Sequence, residues 1–396
     1  MFFKSSPSKF TGGISCLWKG MELIYAKKFI FSFFKLQIKN RFNFLLYESA
    51  RSAILHSLKC LDITSKDQVI VSSFTCDAVT KAVTNSEAKI VYVDINEDLT
   101  MNDKYVLKAI NKYTKALILQ NTFGRLGLKI STINKIKKKN IFIIEDSSLS
   151  VGSKFKNMPL GQFGDVAIYS LEASKTITAG WGGVLNVNNP NYKKKIFKSY
   201  NGLKSINIFE DFRRLFQLFM SLYFLKNPKL FGNLIWYFFY GTRIFRKSNT
   251  GNILYTKKMG PLTGKFFLYL FPRFKKLYKR TNKNYSFLIN HINNSKLKCL
   301  LISKKEEFIV TPRIPLLIKN KERIIQIANK MNIEIGDWFN ECPPKFNIEK
   351  SYVHSSKISH LISYKIINIP CYFSLGKNEI LQLKKLISAI ALVEKK

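Results

Sequence analysis

Seven short runs of apolar residues, separated by segments of helical length, fill residues 42–187 of this chain. Most of the runs are rich in valine and isoleucine and are bounded by polar residues, as β-strands are. Segments such as 50–61 and 76–86 have the length expected of helices. Strands that alternate with helices favour a mainly parallel sheet with helices on both faces, so we expect an α/β fold. The predicted strands are 42–49, 68–74, 89–95, 115–121, 141–147, 165–171 and 183–187.

The chain has 396 residues, more than one small core requires, which favours a large domain with a smaller one. The last hundred residues contain a strand-like run at 308–318 and a terminal amphipathic helix at 377–396, typical of a small α/β domain. We expect an N-terminal segment at 1–40, a large domain at 41–200, a variable aromatic and basic helical region at 201–300, and a small C-terminal domain at 301–396.

The charge is unusual, because 65 lysines and arginines oppose only 25 acidic residues and give a formal net charge of +40. Such a charge favours anionic partners, namely phosphorylated metabolites, nucleic acid or an acidic membrane. Lysine is spread over almost every segment, however, so a general compositional bias also explains the charge without any binding role. No helix-turn-helix, zinc or RNA-recognition motif is present, which argues against a nucleic-acid-binding protein.

Two strongly apolar and aromatic runs, 215–225 and 230–240, are surrounded by basic residues. Each run is about half the length of roughly 20 residues that a membrane-spanning helix needs, so we do not predict a transmembrane segment. Two interpretations stay open for residues 205–247. They pack into the core or a dimer interface, or they form a surface that lies on an anionic membrane.

The six cysteines are far apart and form no CxxC pair, so neither a zinc ribbon nor a redox pair is predicted. Four histidines leave little for a metal site, and no metal is expected. The first 13 residues lack the continuous apolar core of a signal peptide. This cysteine usage is typical of the reducing cytoplasm, so we expect a cytoplasmic protein, with membrane association as the open alternative.

Polar residues follow two of the predicted strands, at the edge where α/β sheets bind ligands. Asp146 comes at the end of one strand, and Ser170 and Lys175 come at the end of the next, before glycines at 180, 182 and 183. A pyridoxal 5'-phosphate (PLP) site requires these residue types. The acid keeps the pyridine nitrogen protonated, the hydroxyl helps to hold the phosphate, and the amine binds the cofactor covalently. The glycines allow close backbone approach. A solvated turn is the alternative for Glu145 and Asp146.

These segments resemble the DegT/DnrJ/EryC1/StrS family, the sugar aminotransferases of PLP fold type I. IIEDSSLSVG (143–152) is similar to the family's V-I-E-D-A-A-[QH]-A-x-G, and YSLEASK (169–175) with GWGG (180–183) is similar to F-S-F-x-x-x-K with G-E-G-G. Further similarity lies in ESARSAIL (48–55), VIVSSFTCDAV (69–79), AKIVYVDINEDLTMN (88–102) and NIPCYFSLGKNEI (368–380). The resemblance covers about 45–190 and 310–390, and it implies a mainly parallel seven-stranded sheet sandwiched by helices with a smaller C-terminal α/β domain.

The resemblance also implies a role for individual residues. Lys175 would hold PLP and move a proton during the reaction, Asp146 would pair with the pyridine nitrogen, and Ser170 would bind the phosphate. Arg51 and Ser52 occupy the helix-start positions that cradle the same phosphate.

Two positions depart from the family pattern. Leu149 replaces the glutamine or histidine that contacts the ring hydroxyl, and Cys76 replaces the aromatic residue that stacks on the ring. Lys175 argues against the family's dehydratase branch, which has histidine there.

The resemblance implies a homodimeric PLP-dependent transaminase that moves an amino group from an amino acid, glutamate being the expected donor, to the keto sugar of a nucleotide-sugar. The product would serve surface polysaccharide or amino-sugar biosynthesis. The departures leave one alternative, a non-catalytic or regulatory PLP-binding homologue.

Overall fold

A computed structural model describes residues 44–226, 256–344 and 351–395. The predicted N-terminal segment 1–40 and the apolar run 230–240 lie outside the described residues. The strands are β1 (Phe44–Tyr47), β2 (Gln68–Ser72), β3 (Lys89–Val93), β4 (Thr114–Gln120), β5 (Phe142–Asp146), β6 (Lys154–Phe155), β7 (Met158–Pro159), β8 (Val166–Ser170), β9 (Gly183–Val187), β10 (Lys298–Cys299), β11 (Glu307–Phe308), β12 (Arg313–Leu317), β13 (Tyr352–Val353) and β14 (Ile366–Pro370).

The central sheet has eight strands in the order β1-β9-β8-β5-β4-β2-β3-β13. The six strands from β8 to β13 in that order are parallel to one another, whereas β9 is antiparallel to both of its neighbours. All seven predicted strands are present, and the mainly parallel sheet is confirmed. The eighth strand, β13, comes from the C-terminal part of the chain and has only two residues. Two residues are too few to show the alternating pattern from which a strand is predicted.

The helices of the described residues are α1 (Ala50–Lys59), α2 (Asp77–Thr84), α3 (Asp103–Ala109), α4 (Ile130–Lys138), α5 (Pro190–Asn201), α6 (Ile208–Lys226), α7 (Pro261–Leu270), α8 (Phe274–Asn294), α9 (Lys321–Lys330), α10 (Lys357–Lys365) and α11 (Lys377–Lys395). Local sequence explains where several begin. Ser49 caps α1 by accepting the Ser52 N–H, and Asn189 caps α5 just before a proline at its first position.

Both faces of the central sheet are buried, as an α/β sandwich requires. Along β2, Val69 and Val71 belong to one apolar cluster with α1, whereas Ile70 belongs to another with Ile136 of α4. Successive side chains of a strand point to opposite faces, so this alternation places helices on both sides.

The C-terminal part is built on a second sheet, in which β12 lies between β10 and β14 with antiparallel pairing. Its core includes Ile314 and Ile367 of that sheet together with Ile387 of α11. The same cluster contains Phe74 and Leu149, which come from loops after strands of the central sheet. The two sheets therefore meet at the edge where the central strands end.

Two helices, α6 and α7, cover the β1–β9 edge of the large sheet. Leu215 and Leu218 of α6 are buried against Phe266 and Phe267 of α7. Part of the apolar run 215–225 is thus core, while Phe209 nearby is 81% exposed. Within the described part of the chain, no helix is long and apolar enough to cross a membrane.

Candidate functional site

Asp146 and Ser170 end two adjacent parallel strands, β5 and β8. Asp146 is in register with Ile168, two residues before Ser170, so both side chains reach the same edge of the sheet. Both residues are buried, with exposed fractions of 7% and 6%. The alternative of a solvated turn at Glu145 and Asp146 is therefore wrong.

The start of α1 lies directly beside Ser170. Ser170 pairs with Gly183 of β9, and Ser49 bridges to Gly182. A Cβ at Gly183 would lie 2.4 Å from the Ala50 nitrogen, so only glycine permits this approach. Arg51 lies in the first turn of α1, at a helix N-terminus that favours anions.

Glycines also shape the segment that follows Lys175. Gly180 and Gly182 have φ angles of 86° and 125°, a region that side-chain-bearing residues rarely adopt. The sequence predicted that these glycines allow close approach of neighbouring backbone, and this is what Gly183 does. At Gly180 and Gly182, glycine is favoured for a second reason, the positive φ angle.

Ser52 is fully buried, but its hydroxyl already has partners within the protein. It lies 3.0 Å from the Ser49 Oγ and donates to Glu48 Oε1 at 3.3 Å. Burial raises the pKa of Glu48, and the charges of Arg214 and Lys257 oppose that shift. A role for Ser52 in phosphate binding stays a prediction, and its evident contacts are with the cap of α1.

Lys175 follows β8 and points toward the C-terminal part. Its Nζ lies 4.6 Å from the ring centroid of Trp338. The same amine is within electrostatic reach of Cys76. Burial raises the pKa of the Cys76 thiol, and the positive charges of Lys175 and Arg51 oppose the shift. Lys175, Arg51 and Cys76 thus share one neighbourhood.

The Asp146 carboxylate accepts a backbone hydrogen bond but forms no ion pair with a described lysine or arginine. Its Oδ1 accepts the Ser148 N–H at 3.0 Å, and no lysine or arginine within the described ranges forms an ion pair with it. Such a carboxylate is suited to a protonated ring nitrogen.

The two departures from the family pattern occupy different environments. Cys76 caps α2 without a side-chain capping bond, and its Sγ lies 3.7 Å from Asp77 Oδ1. Leu149 is 6% exposed and packs in the apolar cluster shared with the C-terminal part. Leu149 therefore also supports the junction between the two sheets.

Two buried hydroxyls next to Lys175 and Leu149 in the sequence have no hydrogen-bond partner among the described atoms. They belong to Thr176, which follows Lys175, and Ser150, which follows Leu149. Buried polar atoms are normally satisfied, so each is available to a bound molecule. Together with Asp146, Ser170 and the start of α1, they fit the ring and phosphate of PLP.

Sequence reasoning missed Trp338 and Arg313. The guanidinium carbon of Arg313 lies 3.5 Å from the Trp338 ring centroid, and the residue is 3% exposed. Both lie in the C-terminal part, far along the chain from Lys175. An arginine within an apolar strand was the available signal, because a charge there requires a partner.

Part of the chain is similar in sequence to a known family. Residues 43–216 match the sequence model of the DegT/DnrJ/EryC1/StrS aminotransferase family. GDP-perosamine synthase of Escherichia coli O157:H7 is 31% identical over 173 residues, which make up 43% of this chain and 47% of that protein. The dTDP-4-dehydro-2,3,6-trideoxy-D-glucose 4-aminotransferase of Saccharopolyspora spinosa is 28% identical over 167 residues, or 41% of this chain and 43% of that protein. The chain thus spans less than half the length of these curated relatives.

Solved structures share the fold over nearly the whole chain. The aminotransferase TlmJ from Streptoalloteichus hindustanus has a TM-score of 0.70 at 12% identity, covering 94% of this chain and 91% of its own. A DegT DnrJ EryC1 StrS aminotransferase from Brucella abortus has a TM-score of 0.69 at 15% identity, covering 94% and 90%. The predicted fold class and the resemblance to the family are both confirmed.

Proposed function

We propose, from the match of residues 43–216 to the DegT/DnrJ/EryC1/StrS aminotransferase family, that this chain is a PLP-dependent aminotransferase acting on a nucleotide-linked keto sugar. The observation that carries the proposal is that Asp146, Ser170 and the start of α1 meet at one edge of the sheet, with Lys175 on the segment that follows Ser170. Two matched relatives are, by their names, a GDP-perosamine synthase and an aminotransferase of a dTDP-linked sugar, which supports the substrate class.

Different residues would hold different parts of PLP. Lys175 would bind it covalently, Asp146 would face the ring nitrogen, and Ser170 with Arg51 would face the phosphate at the start of α1. When bound, PLP supplies an electron sink for the pair left on carbon after a proton is removed. Lys175 Nζ would take that proton from the amino-acid carbon and, in the second half of the reaction, would deliver a proton to the sugar carbon.

Aromatic side chains lie beside the Lys175 amine. Trp338 lies over the Lys175 amine, and Phe339 packs edge-on against the fully buried Phe74 with centroids 5.2 Å apart. Apolar side chains here would strengthen the electrostatic contacts that Asp146 and Arg51 are proposed to make with bound groups.

Cofactor binding is tested by absorption. The purified protein mixed with PLP is expected to absorb in the visible, because the covalent linkage to an amine extends the conjugation of the ring. Lys175→Ala should abolish this band, whereas Lys138→Ala, at an exposed position on α4, should keep it. A wild-type protein that takes up no PLP would contradict the proposal.

The reaction is tested by product formation. With glutamate as the proposed donor, more than one equivalent of 2-oxoglutarate per PLP site should form only when a keto-sugar nucleotide is present. A protein that binds PLP but converts none of several donors and keto-sugar nucleotides would instead be the non-catalytic or regulatory homologue. The proposed place of the product is surface polysaccharide or amino-sugar biosynthesis.

Two finer proposals concern partners. We propose that the protein works as a homodimer, and that the exposed aromatic residues of α6 belong to the dimer interface rather than to a membrane-binding surface. Ile208, Phe209 and Phe212 on this helix are 48%, 81% and 62% exposed, more apolar surface than one helix end normally shows to water.

A further inference from the structure

A polar cavity lies at the edge of the central sheet opposite to the candidate cofactor site. It has a volume of about 520 Å³ and is bounded by Phe142 at the start of β5, Asp165 just before β8, and the start of α5. Asp146 ends β5, so the five residues of that strand separate Phe142 from Asp146 by about 13 Å, at about 3.3 Å per residue. The cavity is therefore distinct from the candidate cofactor site.

Hydrogen bonds fix several of the polar side chains that line the cavity. Asp165 accepts the Ile143 N–H at Oδ2, at 2.8 Å, and the Asn189 side-chain amide at Oδ1, at 2.7 Å. The side-chain amide of Asn188 donates to the Gly164 carbonyl at 3.0 Å. Each carboxylate oxygen has two lone pairs, so each keeps capacity to accept a further hydrogen bond. Side chains held in this way lose little freedom when a ligand binds.

Three further amide side chains line the cavity without internal hydrogen bonds. They belong to Asn140, Gln162 and Asn191, which are exposed, and none of these amides bonds to another residue of 44–226, 256–344 or 351–395. An amide offers two donors and an oxygen with two lone pairs. A hydroxyl, which both donates and accepts, therefore matches an amide better than a phosphate, which only accepts.

An aromatic side chain stands beside these amides. The ring of Tyr192 lines the cavity and packs edge-on against the buried Phe142, with centroids 4.6 Å apart. Burial, with a smaller effect of Asp165, raises the pKa of the Tyr192 hydroxyl, which therefore stays protonated. A sugar ring has C–H groups that pack on an aromatic surface and hydroxyls that bind amides. The lining offers both kinds of contact.

The charges of the lining are balanced, although the whole chain has a formal net charge of +40. Of the described residues that line the cavity, Lys137 and Asp165 alone are charged, and none is an arginine, the residue best suited to phosphates. The lysine bias of the chain therefore does not dominate this cavity. The balance favours an uncharged polar ligand, and the volume lies within the range of about 300–1,000 Å³ typical of small-molecule sites.

We propose that this cavity binds a neutral saccharide of one or two pyranose rings, through the amides of Gln162 and Asn191 and the ring of Tyr192. The inference goes beyond the proposed function, because it concerns an edge of the sheet that the proposed amino-group transfer does not use. A phosphate would need more positive charge than Lys137 supplies, and an apolar ligand would leave the amides without partners.

Saturation-transfer difference NMR tests the inference on the purified protein with four probes, namely the methyl α-pyranosides of glucose, galactose and mannose, and N-acetylglucosamine. At least one probe is expected to give a signal that saturates with concentration, which yields a dissociation constant. Gln162→Ala combined with Asn191→Ala should raise that constant by about tenfold or more, because two hydrogen-bonding amides are lost.

The matched control is Asn290→Ala combined with Asn293→Ala, at two exposed positions on α8. It removes the same number of surface amides outside the cavity, so the dissociation constant should stay within about twofold. Gln162 and Asn191 are exposed as well, and urea unfolding should show both double variants to be as stable as wild type. A loss of saccharide binding at unchanged stability then belongs to the cavity.

Three results would overturn the inference and would leave the proposed function standing, because none depends on PLP uptake. None of the four probes could give a saturable signal. The signal could stay unchanged in Gln162→Ala combined with Asn191→Ala, which would place the saccharide elsewhere on the protein. An excess of inorganic phosphate could displace the saccharide from wild-type protein, which would make the cavity an anion site.

Discussion

At the level of single residues, neighbouring carboxylates at the end of β5 have opposite environments. Glu145 accepts N–H groups from Gly161, Phe163 and Gly164 and the amide of Asn121, so its oxygens are satisfied inside the protein. Among the described residues, the Asp146 carboxylate accepts only the Ser148 N–H. Glu145 therefore stabilises the loop before β8, whereas Asp146 keeps an oxygen for a ligand.

His56 offers a pH-dependent prediction at the same scale. Its ring nitrogens lie 2.7 Å from the Tyr47 hydroxyl and 2.9 Å from the Ser199 hydroxyl, joining β1, α1 and α5. Burial, with a smaller effect from Lys59, lowers its pKa from 6.5 to about 4. The unfolded chain therefore binds the proton more readily between these values, and stability present above pH 6.5 is lost as the pH falls toward 4.

Because His56 takes up a proton on unfolding, we expect the free energy of unfolding to fall by up to about 3 kcal/mol over that pH range. Urea unfolding at pH 7 and pH 4.5 measures the difference. His56→Gln should be less stable at pH 7 but should show a smaller loss on acidification, whereas His360→Gln, at an exposed position, should fall like wild type. An equal loss in His56→Gln and wild type would assign the pH dependence to other groups.

At the level of elements, the decisive contact is the approach of β9 to the start of α1. Gly183 lies so close to Ser49 and Ala50 that a Cβ would meet three backbone atoms at 2.4 to 2.6 Å. Backbone atoms cannot rotate away, so a larger residue must separate the strand from the helix. That separation would withdraw Arg51 and the helix N-terminus from Ser170.

Gly183→Ala is therefore expected to weaken PLP binding by at least about tenfold and to destabilise the fold by about 1–3 kcal/mol. Spectrophotometric titration with PLP and urea unfolding give the two values. Gly202→Ala is the matched control, since a Cβ there would meet only the Ser199 carbonyl oxygen at 3.5 Å. Unchanged PLP affinity in Gly183→Ala would mean that the helix start does not hold the phosphate.

At the level of the whole molecule, the site needs both sheets. Lys175 and Asp146 come from the large sheet, and Trp338 and Arg313 come from the C-terminal part. The shared apolar cluster, which contains Phe74, Leu149 and Ile309, joins the two sheets. Leu149 at a position where the family has a polar residue is consistent with that packing role.

The proposed dimer is tested at this scale by changing Phe209 and Phe212 together to serine. Both are exposed, and the loss of buried aromatic area should raise the dimer dissociation constant by about tenfold or more, as measured by light scattering over a range of concentrations. Phe287→Ser, at a position 48% exposed on α8, is the control. An unchanged dimer whose binding to anionic vesicles is lost would favour the membrane interpretation of residues 205–247.

The sequence alone determined the large sheet, the helices around it and the order of Asp146, Ser170 and Lys175, because those features rest on local periodicity and short spacing. Only the tertiary structure decided that β13 adds an eighth strand and that both Lys175 and Arg313 lie against the ring of Trp338. These contacts join residues distant along the chain. No local pattern records them, because they depend on how the two sheets pack rather than on the propensity of any segment.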